Sequence, residues 1–231
     1  MLGPQEPADV SHLPGVPLFP LPNVVLFPRA VLPLHIFEER YKEMTADALR
    51  GRRLIAMSLL RPGWERDYYS KPAIEPVVCV GQIVSHERLP DGKYNLLLQG
   101  QGRARVVREI STENPYRVAE LEPLAEAQVP ESDLESERVR FTRVFRAALL
   151  GSTPLGRQFR TMLGAANLPT PAFADLVAFN YLDDVSLKQS LLAECDVQLR
   201  VRRTLEALEA ARPALQVAYL QETGDSGVSM N

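Results

Sequence analysis

Between Gly15 and Phe37 the most apolar stretch of the chain carries five prolines, Pro17, Pro20, Pro22, Pro28 and Pro33. A hydropathy window alone would read this stretch as a membrane span or a signal. Each proline, however, lacks a backbone donor and clashes with the carbonyl four residues back, so no spanning helix survives. Arg29 interrupts the apolar run, and the residues ahead of it are acidic rather than basic, unlike a secretory leader. What fits is extended chain, because proline is tolerated at sheet edges, bulges and strand starts. V-P-L-F, N-V-V-L-F and A-V-L-P-L-H-I-F therefore read as short irregular strands. Residues 1–12 are polar, contain Pro4 and Pro7, and read as a flexible arm. The location expected is the cytoplasm, with no membrane partner.

Beyond Phe37 the period changes. Phe37, Tyr41, Met44 and Ala48 recur at helical spacing, Glu38 and Glu39 suit a helix N-terminus, and Gly51 supplies a stop. A buried strand follows over 53–60, then a loop, R-P-G-W-E-R-D-Y-Y-S-K-P, that holds the only tryptophan. Two β-rich runs meet at Pro90-Asp91-Gly92, where Asp-Gly supplies the positive φ of a hairpin turn. Gly100 and Gly102 are expected to turn the chain into another strand, and 116–124 alternates with period two. The first half, residues 13–123, reads as a β-barrel-like sheet with one inserted helix.

After Pro130 the periodicity is helical. Ser132 with Glu135, and Ser186 with Gln189, have the spacing of capping boxes. Thr170-Pro171 looks like a cap followed by a first-turn proline, and Asp196 like the cap of a last helix ending near Pro213. The fold class is α+β, with an α-helical subdomain over 124–220 and a frayed tail over 221–231.

The residues offer no chemistry of their own. Composition is that of a globular protein, 45% hydrophobic and 24% charged with a net charge of −3, which gives nucleic acid no basic stripe to bind. Cys79 and Cys195 stand far apart and outside any C-x-x-C pair, so neither a disulfide nor a metal site is expected. Gly92-Lys93 lacks the earlier glycine and the hydroxyl residue of a phosphate loop, since those positions are Glu87 and Tyr94. Gly100-Gln101-Gly102 lacks the third glycine and the helix of a dinucleotide fingerprint. His35 and Glu38 stand on different elements, and Glu38 reads as a helix-start carboxylate. No catalytic residue, cofactor or metal is expected.

The order of motifs is more specific. V-P-L-F-P-L-P-N-V-V-L-F-P from Val16 to Pro28 is followed by V-L-P-L-H-I-F-E-E-R-Y from Val31 to Tyr41. Then come V-G-Q-I-V at Val80, D-G-K-Y-N-L-L-L-Q-G at Asp91, G-R-A-R-V at Gly102 and P-Y-R-V-A-E at Pro115. D-L-V-A-F-N-Y-L at Asp175 and K-Q-S-L-L-A-E at Lys188 continue the series. The chain thereby resembles the N-terminal, substrate-binding domain family of Lon proteases from about Val16 to Arg212. The resemblance implies a PUA-like β-barrel followed by a C-terminal helical bundle, in a module that captures polypeptides. The sequence stops before an ATPase or a Ser-Lys peptidase could begin, so the expectation is a stand-alone, non-catalytic binder. Among the motif residues, Pro28, Pro33, Gly92 and Gly100 are expected to set turns, Phe37 and Tyr41 to pack the helix on the sheet, and Arg103 to pair with Glu38.

Expected partners are other polypeptides, unfolded chains or a protease system among them; nothing in the sequence sets an oligomeric state. Trp64, Tyr68 and Tyr69 are the candidate polypeptide-binding residues, because aromatic side chains on a polar, Gly/Pro-flanked loop make contact anchors. The crevice between the two halves is a second candidate surface. The alternative is an RNA-binding PUA-like module, with Arg103 and Arg105 on one strand face.

Overall fold

In the computed structural model, which describes residues 13–67, 70–147, 153–165 and 167–225, the Asp91-Gly92 turn joins two long antiparallel strands. These are β4 (Val77–Arg88) and β5 (Tyr94–Ile110). Gly92 has φ +81 and its N–H donates to the Leu89 carbonyl, as the Asp-Gly pair predicts. The flexible arm expected over 1–12 and the tail from 226 lie outside the described residues.

The chain divides into two compact units. The first runs to Ala125 and also takes in Asp183–Cys195; the second holds Glu126–Leu182 and the chain from Asp196. In the first unit, β1 (Leu13–Leu21), β2 (Val31–Ile36), β3 (Leu54–Leu59) and β6 (Arg117–Pro123) join β4 and β5 in a six-stranded sheet of order β2-β5-β4-β3-β1-β6. β1 and β3 are parallel; the other pairs are antiparallel. β6 also pairs with β5, so the ladder returns to a strand it already contains. Leu13, Val16, Leu18, Leu54, Val78, Val80 and Leu121 form the core of this unit, each at most 4% exposed. Each such aliphatic side chain contributes roughly 1.5–3 kcal/mol by leaving water.

β5 is one strand of 17 residues, not two. The expected break at Gly100 and Gly102 does not occur; the strand passes through both, with a register shift at Val80/Gly81 on its partner. Gly100 is required by crowding instead. A Cβ there would lie 2.0 Å from the Phe27 carbonyl oxygen, far inside contact distance. The chain over 27–30 makes a tight turn at this spot: Pro28 leads, Arg29 has φ +67, and Ala30 N–H donates to Phe27 O. Arg29 N–H and Ala30 C=O then bond Gly100 at 2.7 and 2.9 Å. Pro28 thus sets a turn, while Pro33 does not: it sits inside β2 opposite Leu97. β2 pairs with β5 alone in the sheet, and an edge strand tolerates a residue without an N–H.

Helix α1 (Glu39–Arg50) lies where its periodicity predicts and buries Tyr41, Met44, Thr45 and Ala48. Tyr41 packs on Phe19 with ring centroids 4.5 Å apart. Phe37 does not share this role; it is 60% exposed and stacks on His35 at 6.2 Å.

The second unit is helical: α2 (Glu135–Arg146), α3 (Pro154–Gly164), α4 (Thr170–Tyr181) and α6 (Val197–Asp225), with α5 (Val185–Ala193) belonging to the first unit. Phe141, Phe145, Phe159, Phe173 and Tyr181 interlock edge-on and stacked, with centroids 5.0–5.7 Å apart, the geometry aromatic quadrupoles favour. Arg200 is 1% exposed, held by both oxygens of Glu126 at 2.9 and 3.0 Å and by Asp175 at 3.3 Å. Among the described residues no helix is long and apolar enough to cross a membrane.

Helix starts differ from the capping expectations. Ser132 lies in a 3-10 turn, Glu131–Leu134, and hydrogen-bonds Asp133. Glu131 instead reaches α4, accepting from the Thr170 N–H at 2.8 Å and hydroxyl at 2.7 Å. α4 begins at Thr170 with Pro169 as its cap residue. At α5 the cap is Asp184, which accepts from Leu187 N–H at 3.0 Å. Asp196 does cap α6, accepting from Leu199 N–H, but that helix continues past Pro213 to Asp225.

Candidate functional site

The loop after β3 leaves and rejoins the sheet at one place. Leu60 bridges Ile74, Arg61 N–H donates to Ala73 O, Glu75 N–H donates to Leu59 O, and Arg61 pairs with Glu75 at 3.4 Å. This neck fixes the loop at its base. Gly63, with φ +89, turns the chain into the short helical turn Trp64–Asp67, which leaves Trp64 half-buried. Tyr68 and Tyr69 lie outside the described residues.

Opposite the loop stands α5. Gln189 Nε2 donates to the Val77 carbonyl of β4 at 2.9 Å, and Arg103 Nε of β5 donates to the Leu192 carbonyl at 3.0 Å. Both donors are buried, so these bonds hold the helix on the strands at a point where a lost partner would leave a desolvated polar group. Val185, Ser186, Gln189, Ser190 and Ala193 fall at helical spacing on one face and make one wall of a groove. Leu59, Leu60 and Val77 from the sheet, with Pro22, Pro62, Trp64, Glu75 and Pro76, complete it. The groove is open, about 490 Å³ in volume, within the range of pockets that take small molecules or side chains.

Its lining is mostly apolar. Among the described residues Glu75 is the one ionisable group in it, and it already faces Arg61. Ser190 donates its hydroxyl to Leu187 O. Among the described residues no histidine, cysteine, lysine or arginine lines it. Among the described residues no group of three or more His, Cys, Asp or Glu is placed to hold a metal ion. What the arrangement can do is bury apolar side chains against an indole.

Of the sequence-picked residues, Trp64 lies in this groove. Glu38 bonds Arg40 at 2.9 Å, and Arg103, 7% exposed, holds Leu192. Arg103 is buried, whereas Arg105, two residues along the same strand, is exposed. The residues of α5 escape sequence reading. Their signal is the unusual polarity of Gln189 on a buried helical face, which the capping-box spacing had absorbed.

The chain matches the ATP-dependent protease La (LON) substrate-binding domain over residues 15–210. It is 29% identical to the Lon protease of Dictyoglomus thermophilum over 218 residues, covering 93% of this chain and 27% of that protein. The chain spans about a quarter of the length of the curated relatives it matches, which are Lon proteases of bacteria. Its fold is similar to the N-terminal domain of the Mycobacterium avium complex Lon protease, with TM-score 0.66 and 15% identity over 84% of this chain and 98% of that one. It is similar also to a Lon N-terminal domain protein from Xanthomonas campestris, with TM-score 0.59 and 23% identity over 83% and 97%. A motif series in family order, a matching fold and a match over residues 15–210 agree: this chain belongs to the LON substrate-binding domain family.

Proposed function

We propose that this chain is a non-catalytic, cytoplasmic module that binds exposed apolar segments of other polypeptides, unfolded chains or clients of a protease system among them. The groove beside Trp64 is its contact surface, Tyr68 and Tyr69 are retained as candidate contact residues on sequence grounds alone, and the closed strand ladder is a PUA-like barrel that serves as scaffold. The observation that carries the reading is the pairing of a half-buried indole with an apolar, charge-poor groove of about 490 Å³. Aromatic anchors in desolvated pockets supply most of the energy of such contacts. Family membership supports the substrate class, since the matched domain is named for substrate binding.

The test is fluorescence anisotropy of a labelled, permanently unfolded polypeptide titrated with wild type and with Trp64→Ser. Saturable binding that weakens in the variant is the expected result. Wild-type binding unchanged by the substitution would move the site away from the groove, and no binding would remove the proposal.

A further inference from the structure

A second cavity in the strand-bearing unit differs from the groove in both size and charge. It measures about 140 Å³, close to a cavity that accepts one benzene-sized group. Tyr41, Leu60 and Pro20, all buried, give it an apolar floor. Among the described residues Arg40, Lys71 and Arg117 line it against a single carboxylate, Glu109. Two of these cations are already matched. Arg40 lies 4.5 Å over the Tyr41 ring and pairs with Glu38 at 2.9 Å. Arg117 holds both oxygens of Glu109 and donates to the Pro72 carbonyl at 2.8 Å. Lys71 is exposed, and among the described residues it acts on Glu109 only through its field. Asn114 and Thr112 add polar groups to the same lining.

We infer that this cavity binds the C-terminal residue of a polypeptide, an apolar side chain on the Tyr41–Leu60 floor and the free carboxylate at Lys71. The inference rests on the polypeptide-binding reading and names the part of the substrate that this cavity takes. Three observations lead there. The volume holds one side chain rather than a segment, the unmatched charge is positive, and Leu60 lines this cavity as well as the groove. The main chain of an internal segment needs two exits and carries no charge; a chain end needs one exit and pairs an apolar side chain with a carboxylate on the same residue.

The test compares one leucine-terminated peptide as free acid and as C-terminal amide, by anisotropy, against wild type, Lys71→Gln and Trp64→Ser. A charge-assisted contact is expected to favour the acid by about tenfold in wild type. That preference should vanish in Lys71→Gln and persist in Trp64→Ser. Equal affinity of acid and amide for wild type overturns the inference, even where Trp64→Ser weakens both and the groove stands. A preference that survives Lys71→Gln overturns it also. Where neither peptide binds, N-acetyl-leucine and N-acetyl-leucinamide are titrated by amide NMR. Shifts around Lys71 and Tyr116 with the acid alone support the cavity while the groove fails; shifts with neither or with both overturn it.

Discussion

The carbonyl oxygen of Phe27 occupies the space in which a side chain on Gly100 would begin, 2.0 Å from where a Cβ would stand. Two hydrogen bonds between Gly100 and the turn at Arg29–Ala30 keep it there, so the turn cannot retreat without losing them. Gly100→Ala is expected to destabilise the protein by about 3 kcal/mol, read by urea denaturation. Gly164→Ala is the control. Among the described residues nothing lies within 4 Å of a Cβ at that helical position, and the change there should be neutral or stabilising by up to about 1 kcal/mol.

The same contact explains how far the sequence could be read. The hairpin at Asp91-Gly92 was legible because its cause is local, a positive φ at Gly92 within the turn itself. The role of Gly100 was not, because its cause is a backbone atom 73 residues away. Likewise Trp64 advertises itself on its loop, whereas the facing wall depends on Gln189 reaching Val77 across 112 positions. Local spacing assigned Gln189 to a helix start, while tertiary packing made it a tether and gave the cap to Asp184. α5 follows other helices in sequence yet belongs with the strands, and helical periodicity cannot distinguish those surroundings.

Trp64 is expected to carry much of the groove's affinity. Truncating a buried aromatic anchor costs about 2 kcal/mol or more of binding, roughly 30-fold in Kd. Trp64→Ser should produce that loss for an unfolded polypeptide without changing the circular dichroism spectrum, because the neck of the loop is held by backbone bonds at Leu59, Arg61, Ala73 and Glu75. Its tryptophan emission should also shift to the blue on binding in wild type, since Trp64 is the sole indole.

Arg200 is expected to be the residue of the helical unit least tolerant of truncation. It is 1% exposed between Glu126 and Asp175, and Asp175 is itself 4% exposed. Arg200→Ala leaves that carboxylate buried without its guanidinium, at a cost of roughly 3–5 kcal/mol. The double change Arg200→Met with Asp175→Leu removes both charges and should recover much of the loss. Urea denaturation of the two variants checks the order, and equal destabilisation by both would contradict it.

Two tyrosines set how the protein behaves in alkali. Burial, with a hydrogen bond to the Asp47 carboxylate at 2.5 Å, pushes the Tyr116 phenol well above its ordinary 10.0. Burial alone pushes Tyr181 up to about 12, and among the described residues its hydroxyl has no hydrogen-bond partner. Both folded-state values are raised, so their contribution is intact below pH 10.0 and is lost as pH climbs toward the folded values. Above pH 10.0 the unfolded chain releases phenol protons that the folded one retains, so the contribution of these two groups to stability falls with rising pH. Tyr116→Phe should flatten that fall while lowering stability at neutral pH through the lost bond to Asp47. Tyr181→Phe should flatten it too, with neutral-pH stability unchanged or raised by about 1 kcal/mol, because it removes a buried hydroxyl that bonds nothing. Urea midpoints measured from neutral pH to above 10.0 separate the two, and a loss of stability in Tyr181→Phe as large as in Tyr116→Phe would mean that its hydroxyl is satisfied in solution.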